Sequence, residues 1–546
     1  TVRRCLIAAR VGPMAERGET NGEVSLGGGT AGSEHAARHS ERRDVRVLLL
    51  EAGGPDHSPL IHIPAAAYLL FGQAKANWTY PTEAQAGLDR RVLTEVRGRT
   101  LGGTSAFNGM LYCRGEAADY DGWAAQGATG WSYEDVLPFF LRSEAHQSDA
   151  GPFHGQSGPL RVTRADVRNP LALRWLEAAQ QAGFSYNPDI NGAERLGVGP
   201  SDWTCADGRR MSAAVAFLRA ARKRPNLTIR TGAMATRILV EHGRAHGVHG
   251  RWRGRTLGAR SDRDVRLSAG AIHSPQLLKL SGIGPADHQR SLGIDIAVDL
   301  PGVGRNYHDH VGVSVLTTIR GKDSAYRHFS PLNAAGAGLH YLFKRGGMLA
   351  QPPVEAVGVF ESGEAPEIGP DLKFSFIPIM VRPSEGVVRG HGFMTRVCMT
   401  KPASRGAIRL RSVAPEDRPS IDARYLAEDI DVRRTLAGIR IAREIVGQKA
   451  FDDVRGEELA PGRDATDHAA LDRFLRWSAE PDFHGAGSCR MGQDRLAVVD
   501  ERLSVHGVEG LRVVDASIMP SVPSGNTNAP VMMVAEKAAH LIASAA

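Results

Sequence analysis

A chain of 546 residues, 42% hydrophobic and 23% charged, can bury a large core and should divide into more than one domain. Its formal charge of +7 is spread along the chain. The basic stretch 221–227 (ARKRPNL) reads as a solvated helix end, so no nucleic-acid partner is expected. No apolar run approaches the roughly 20 residues that span a bilayer, and the opening TVRRCLIAARVGPMAERG lacks the apolar centre of a signal peptide. Five scattered cysteines without a C-x-x-C fit a reducing compartment, and a cytoplasmic location is expected.

Residues 1–19 have no clear periodicity and read as an atypical leader. The first informative stretch is EVSLGGGTAG (23–32). Gly27, Gly29 and Gly32 make G-x-G-x-x-G: a tight turn, a backbone that a pyrophosphate can approach, and a helix packed close on a strand. A helix starting near Thr30 and Ala31 would aim free N–H groups and a positive dipole end at phosphates. The run VRVLLLE (45–51) ends in Glu51, close to the interval of roughly 20 residues at which a carboxylate accepts ribose hydroxyls. Together these predict a nucleotide-binding βαβ unit. Its packing surfaces are poor. Only Val24 and Leu26 are large and apolar in the strand, and the helix that follows offers little but alanines to its packing face.

Farther on, RGRTLGGTSAFNGMLYCRG (97–115) sets paired glycines before short polar side chains, Thr104, Ser105 and Asn108. Such a backbone can lie against a flat ring system. Residues 226–241 return to strand-like alternation, and 371–381 (DLKFSFIPIMV) read as a strand. Residues 431–446 read as a helix with Leu436, Ile439 and Ile441 near one face. LRVVDAS (511–517) is a buried-type strand ending in Asp515. After it, Asn528 is expected to cap and Pro530 to open a final helix.

These stretches, with GAIHSPQLLKLSGIG (270–284), LPGVGRNYHDH (300–310) and HGAGSCRMG (484–492), follow a familiar order. From about residue 24 onward the chain resembles the glucose–methanol–choline (GMC) flavoprotein oxidoreductases, in particular their choline dehydrogenase-like branch. The resemblance implies an α/β fold (α+β overall). A Rossmann-like FAD-binding domain (residues 20–155, 226–310 and 481–546) would be interleaved with a substrate-binding domain of antiparallel sheet plus helices (156–225 and 311–480). It implies FAD held by Gly27, Gly29, Thr30, Ala31, Gly32 and Glu51, by Thr104, Asn108, Gly109, Met110 and Leu111, and by Ala235 and Asp515. The implied reaction is oxidation of a primary alcohol to an aldehyde by hydride transfer to flavin N5.

His484 is the implied general base, since histidine titrates near working pH and can take and return a proton. Asn526 falls at the family's second catalytic position, where an amide can hold an alkoxide but cannot act as a base. Gly485 replaces the usual proline and is expected to loosen the loop. Phe107 stands where some relatives carry a flavin-linked histidine, so the FAD is expected to be non-covalent. Glu355 matches a glutamate near the family's substrate pocket, which in choline-oxidising relatives helps to hold the quaternary ammonium. His308 and His310 are expected to be structural, with no metal site. A small-molecule alcohol is the expected partner, and the electron acceptor (quinone, oxygen or a carrier protein) is left open.

Three other functions are weighed against this reading. Fatty-acid photodecarboxylases share the fold but carry a non-basic residue, a cysteine and a glutamine where His484, Thr400 and Asn526 stand here. A hydroxynitrile lyase is compatible with the histidine. A flavin-poor, non-catalytic scaffold is compatible with the weak first βαβ unit.

Overall fold

The computed structural model describes residues 20–382 and 386–544, and the predicted leader lies outside them. Strand Glu23–Leu26 runs parallel to Val47–Glu51, Val24 facing Leu48 and Leu26 facing Leu50. On the outer side of Val47–Glu51 lies Leu227–Thr231, and on the other flank of Glu23–Leu26 lie Val265–Leu267 and then Leu511–Val513. In order of sequence this five-stranded parallel sheet reads 3-2-1-4-5, a doubly wound arrangement whose strand order reverses beside the first strand. Parallel strands are buried on both faces, and Val24, Leu26 and Val47 to Leu50 are all buried.

Helix Thr30–His39 leaves the first strand through the glycine turn. Gly27 has φ +99°, a region that disfavours side chains. A Cβ on Gly32 would collide with the Gly27 carbonyl oxygen, which is why the helix lies so close to its strand. The polar residues of this unit go inside: Ser25, Glu34, His35 and His39 are all buried.

The predicted strand 226–241 is two strands, because Gly232 at φ +68° turns the chain. Leu227–Thr231 completes the parallel sheet, while Ala233–Glu241 pairs with Arg244–Trp252 in a separate antiparallel sheet. Similarly, the predicted strand 371–381 ends at Ile377, before Pro378, which has no N–H to continue the ladder.

A second, seven-stranded antiparallel sheet orders Arg455–Ala460, Val311–Ile319, Gly392–Met399, Leu372–Ile377, Ala356–Phe360 and Gly197–Pro200, with Glu480–Pro481 paired to Val311–Gly312. Helices Asp429–Val446 and Pro170–Gln181 pack on it. In the first of these Leu436 and Ile439 are fully buried, and Ile441 is half-buried at the edge. The final helix is Asn528–Ala543, but its N-cap is Thr527. The Asn528 amide oxygen instead accepts from Thr30 Oγ1 at 3.2 Å, joining the last helix to the first.

Candidate active site

A cavity of about 400 Å³ opens beyond the carboxyl ends of Glu23–Leu26 and Val265–Leu267, where the strand order reverses. Open α/β sheets bind ligands at this point. One end is walled by Gly27, Gly29, Thr30, Ala31 and Glu51. A Cβ on Gly29 would meet only Gly103 Cα, at 4.0 Å, so this glycine faces open space. Both Glu51 oxygens accept backbone N–H groups, Oε2 from Gly28 at 2.7 Å and Oε1 from Gly53 at 2.6 Å. Burial raises its pKa to about 7 against the pull of those two bonds. Glu51 thus ties the glycine turn together, with one lone pair on each oxygen left for a ligand.

Thr104, Asn108, Gly109, Met110 and Ala235 line the middle of the cavity. Asn108 Oδ1 is held by Met110 N (3.1 Å) and Arg210 Nη1 (2.8 Å). Asp515 lines it too, accepting from Gly270 N at 2.8 Å and Ser517 N at 2.8 Å, so it anchors the start of helix Gly270–Leu280. Two expected cofactor contacts are not in the wall: Gly32 acts beneath the turn, and Leu111 pairs with Trp203 in a short ladder. Glu355 is also outside the cavity. Its Oε2 accepts the backbone N–H groups of Arg168 and Asn169, each at 2.9 Å, just before helix Pro170–Gln181. Its carboxylate thus ties down the turn that leads into the helix.

His484 and Asn526 meet at the far end, Asn526 Nδ2 lying 3.0 Å from His484 Nε2. The other ring nitrogen, Nδ1, is 3.0 Å from His310 Nδ1. Buried Lys373 donates from Nζ to Asn526 Oδ1. An ammonium has donors only, so the amide must turn its NH₂ to His484 Nε2. That nitrogen then carries a lone pair, and the ring proton sits on Nδ1, donated to His310. Burial, followed by His310, holds His484 well below its ordinary pKa, with Asp482 opposing them. The imidazole is therefore neutral at physiological pH.

Sequence reasoning missed the residues that set this environment. His310 is expected to be structural, yet it touches the His484 ring. Asp482 is ionised at about 2: burial raises it, but Arg396, bonded at 2.6 and 3.0 Å, outweighs burial. Its place two residues before His484 is the one signal that could have found it; nothing in the sequence marks Lys373. The Gly485 loop is not loose, since Asp309 Oδ1 accepts from His484 N at 2.6 Å and Ala486 N donates to the His308 carbonyl at 2.9 Å. A Cβ on Gly485 would collide with the Tyr307 hydroxyl and lie 2.7 Å from Arg97 Nη2, so these side chains fill the place of a proline ring.

The GMC oxidoreductase family pattern matches residues 22–312 and 402–535. The chain belongs to this family. It is 41% identical over 525 residues to the oxygen-dependent choline dehydrogenase of Paraburkholderia phytofirmans, covering 95% of this chain and 93% of that one. Identity to the enzyme of the same name from Ectopseudomonas mendocina is 42% over 529 residues, with the same coverage. Among solved structures, pyridoxine 4-oxidase from Mesorbium loti superposes with a TM-score of 0.86 at 33% identity, covering 95% of this chain and 98% of that one. A formate oxidase superposes with a TM-score of 0.91 at 25% identity, covering 97% and 99%. The chain is thus an FAD-dependent oxidoreductase acting on CH–OH donors.

As a GMC oxidoreductase it has residues that fit FAD. The open face of Gly29 and the start of helix Thr30–His39 suit a pyrophosphate. The start of helix Asn528–Ala543, whose Thr527 and Asn528 line the cavity near His484, offers a second positive dipole end.

Proposed function

We propose that this protein oxidises a small primary alcohol to an aldehyde, with His484 as general base and Asn526 holding the hydroxyl oxygen. Bound FAD, held non-covalently by the glycine turn, Asp515 and the 104–110 stretch, supplies the hydride acceptor. The observation that carries the reading is the chain of bonds from Lys373 through Asn526 to His484 Nε2. It keeps Nε2 unprotonated, so that its lone pair, which here accepts from the Asn526 amide, can take the hydroxyl proton once the substrate hydroxyl replaces that bond. As that proton leaves, the substrate oxygen gains negative charge, and the Asn526 amide, polarised by the Lys373 ammonium, stabilises it. His310 accepts from His484 Nδ1 and holds the ring when it becomes cationic.

Lys373 also bears on the substrate. Among the described residues Lys373 is bonded to an amide, whereas Arg396 is balanced by Asp482 and Arg97 by Glu95. The reacting end of the cavity therefore carries an unbalanced positive charge. With Glu355 engaged elsewhere, this favours neutral or anionic alcohols over quaternary ammonium alcohols. In the decisive experiment, His484→Ala should slow anaerobic flavin reduction by about 10²–10⁴-fold with FAD still bound. Reduction at the parent rate would remove His484 from the mechanism.

A further inference from the structure

Among the described residues the three most exposed large apolar side chains lie on helix Pro331–Lys344, which buries only Tyr341; the Tyr341 hydroxyl donates to the Gly208 carbonyl at 3.0 Å. Leu332, Leu339, Leu342 and Phe343 are 87%, 57%, 65% and 79% exposed. Spaced seven, ten and eleven residues from Leu332, they form one stripe along the helix. A helix of 14 residues gains little stability from its own hydrogen bonds. An exposed stripe of this kind marks a surface that something covers.

Charge indicates what covers it. Lys344 and Arg345 close the helix, Arg327 lies in the turn packed against it, and the chain from 320 to 347 carries two more exposed cations, Arg320 and Lys322, with Asp323 its one acid. An amphipathic helix with large apolar residues on one side and lysine and arginine at its borders suits an anionic lipid surface. The face is continuous with the cavity. The turn Met348–Ala350 that follows the helix packs against the turn Pro64–Leu70. Leu69 in that turn and Phe71 just after it are exposed, and Phe71 packs edge-on against Phe107 and Phe483, which line the cavity with His484.

We propose that this face docks on an anionic phospholipid bilayer, with helix Pro331–Lys344 lying in the headgroup layer and the Phe71 rim of the cavity turned toward the lipid. A second copy of the chain is the weaker occupant. In a two-fold dimer the same patch meets itself, which would set the cations at its border against their own copies. Among the described residues no helix is long and apolar enough to cross a membrane, so the contact is peripheral.

The test is sedimentation of the FAD-loaded protein with vesicles of phosphatidylcholine, alone or with about one-third phosphatidylglycerol as the anionic lipid. The protein should pellet with the anionic vesicles and be released by salt. Leu342→Glu with Phe343→Glu should abolish pelleting while leaving flavin absorbance and reduction by soluble alcohol unchanged. Lys344→Gln with Arg345→Gln should weaken partitioning about 20- to 30-fold, at roughly a factor of five for each basic residue near the surface. Retention in the supernatant, or equal pelleting of the Leu342/Phe343 variant, would overturn the proposal. So would a parent protein that ignores vesicles but elutes as a dimer split by the same variant, since the face would then belong to a second copy.

Discussion

Replacing Glu34 and His35 together by leucine should stabilise the first βαβ unit and its hold on FAD. Ser25 Oγ, both Glu34 oxygens, both His35 ring nitrogens and His39 Nε2 are buried without a well-formed hydrogen bond. The contact of His35 with the Ala535 carbonyl falls short of good geometry. Burial, then the neighbouring Glu536, holds the Glu34 pKa well above the carboxylate range. Burial, followed by the neighbouring His39 for His35 and by Arg266 for His39, holds both histidines well below theirs. The signs oppose each other. A carboxyl with a raised folded pKa favours the fold only below its unfolded value, and that contribution is lost as pH rises toward the folded value. A histidine with a depressed pKa favours the fold above its unfolded value, and that contribution is lost as pH falls. No single pH suits both groups. Each buried polar group left unpaired costs roughly 1–3 kcal/mol, so removing two should return roughly 2–6 kcal/mol of local stability at neutral pH. Each buried neutral histidine adds an acid slope of roughly 1.4 kcal/mol per pH unit below about 6.5. Flavin fluorescence during thermal release, followed from pH 8 to pH 5, reads both effects. The release temperature and the flavin-to-protein ratio should rise, and the acid slope should become shallower by one histidine. An unchanged release temperature with an unchanged slope would refute the reasoning and mean that the surrounding packing compensates these groups.

Three further outcomes are expected. Acid precipitation should leave yellow flavin in the supernatant, because Phe107 cannot form a histidyl linkage; flavin in the pellet would show another attachment. The rate of flavin reduction should stay flat as pH falls through 6.5 and decline only in more acid solution, because burial and His310 depress His484; a decline centred on the ordinary histidine pKa would contradict the buried, neutral ring. Choline should reduce the flavin more slowly than its uncharged analogue 3,3-dimethylbutan-1-ol, and Lys373→Gln should narrow the gap; a preference for choline in the parent protein would exclude the electrostatic argument.

The features that rest on neighbours in sequence were legible. The glycine turn, the helix start at Thr30 and the acid at Glu51 follow from local backbone requirements, and the structure places them at the reversal of the parallel sheet. His484 was legible only through its motif, since a lone histidine carries no sign of its partners. His310, Lys373 and Arg396 come from different strands of the antiparallel sheet or the loop before it, and only the register of that sheet brings them together. The placement of Glu355 was not legible for a related reason: its carboxylate is held by two N–H groups nearly 190 positions earlier in the chain. Asn528 has a good capping side chain, but a threonine hydroxyl from the first helix competes for it.

The strand order 3-2-1-4-5 also governs when the cofactor site can exist during synthesis. The strand Val265–Leu267 gains its outer neighbour only when Leu511–Val513 appears, and His484, Asn526 and the last helix arrive in the same final stretch. At roughly 5–20 residues per second, the nascent chain spends tens of seconds with four strands translated and one sheet edge unpaired. Such an edge is a template for pairing with other chains. The poorly satisfied first βαβ unit waits through the same interval without its ligand. Yield of soluble, yellow protein should therefore depend on protection of the growing chain late in translation, and slowing synthesis just ahead of residue 511 should cost more folded product than slowing it after the first strand.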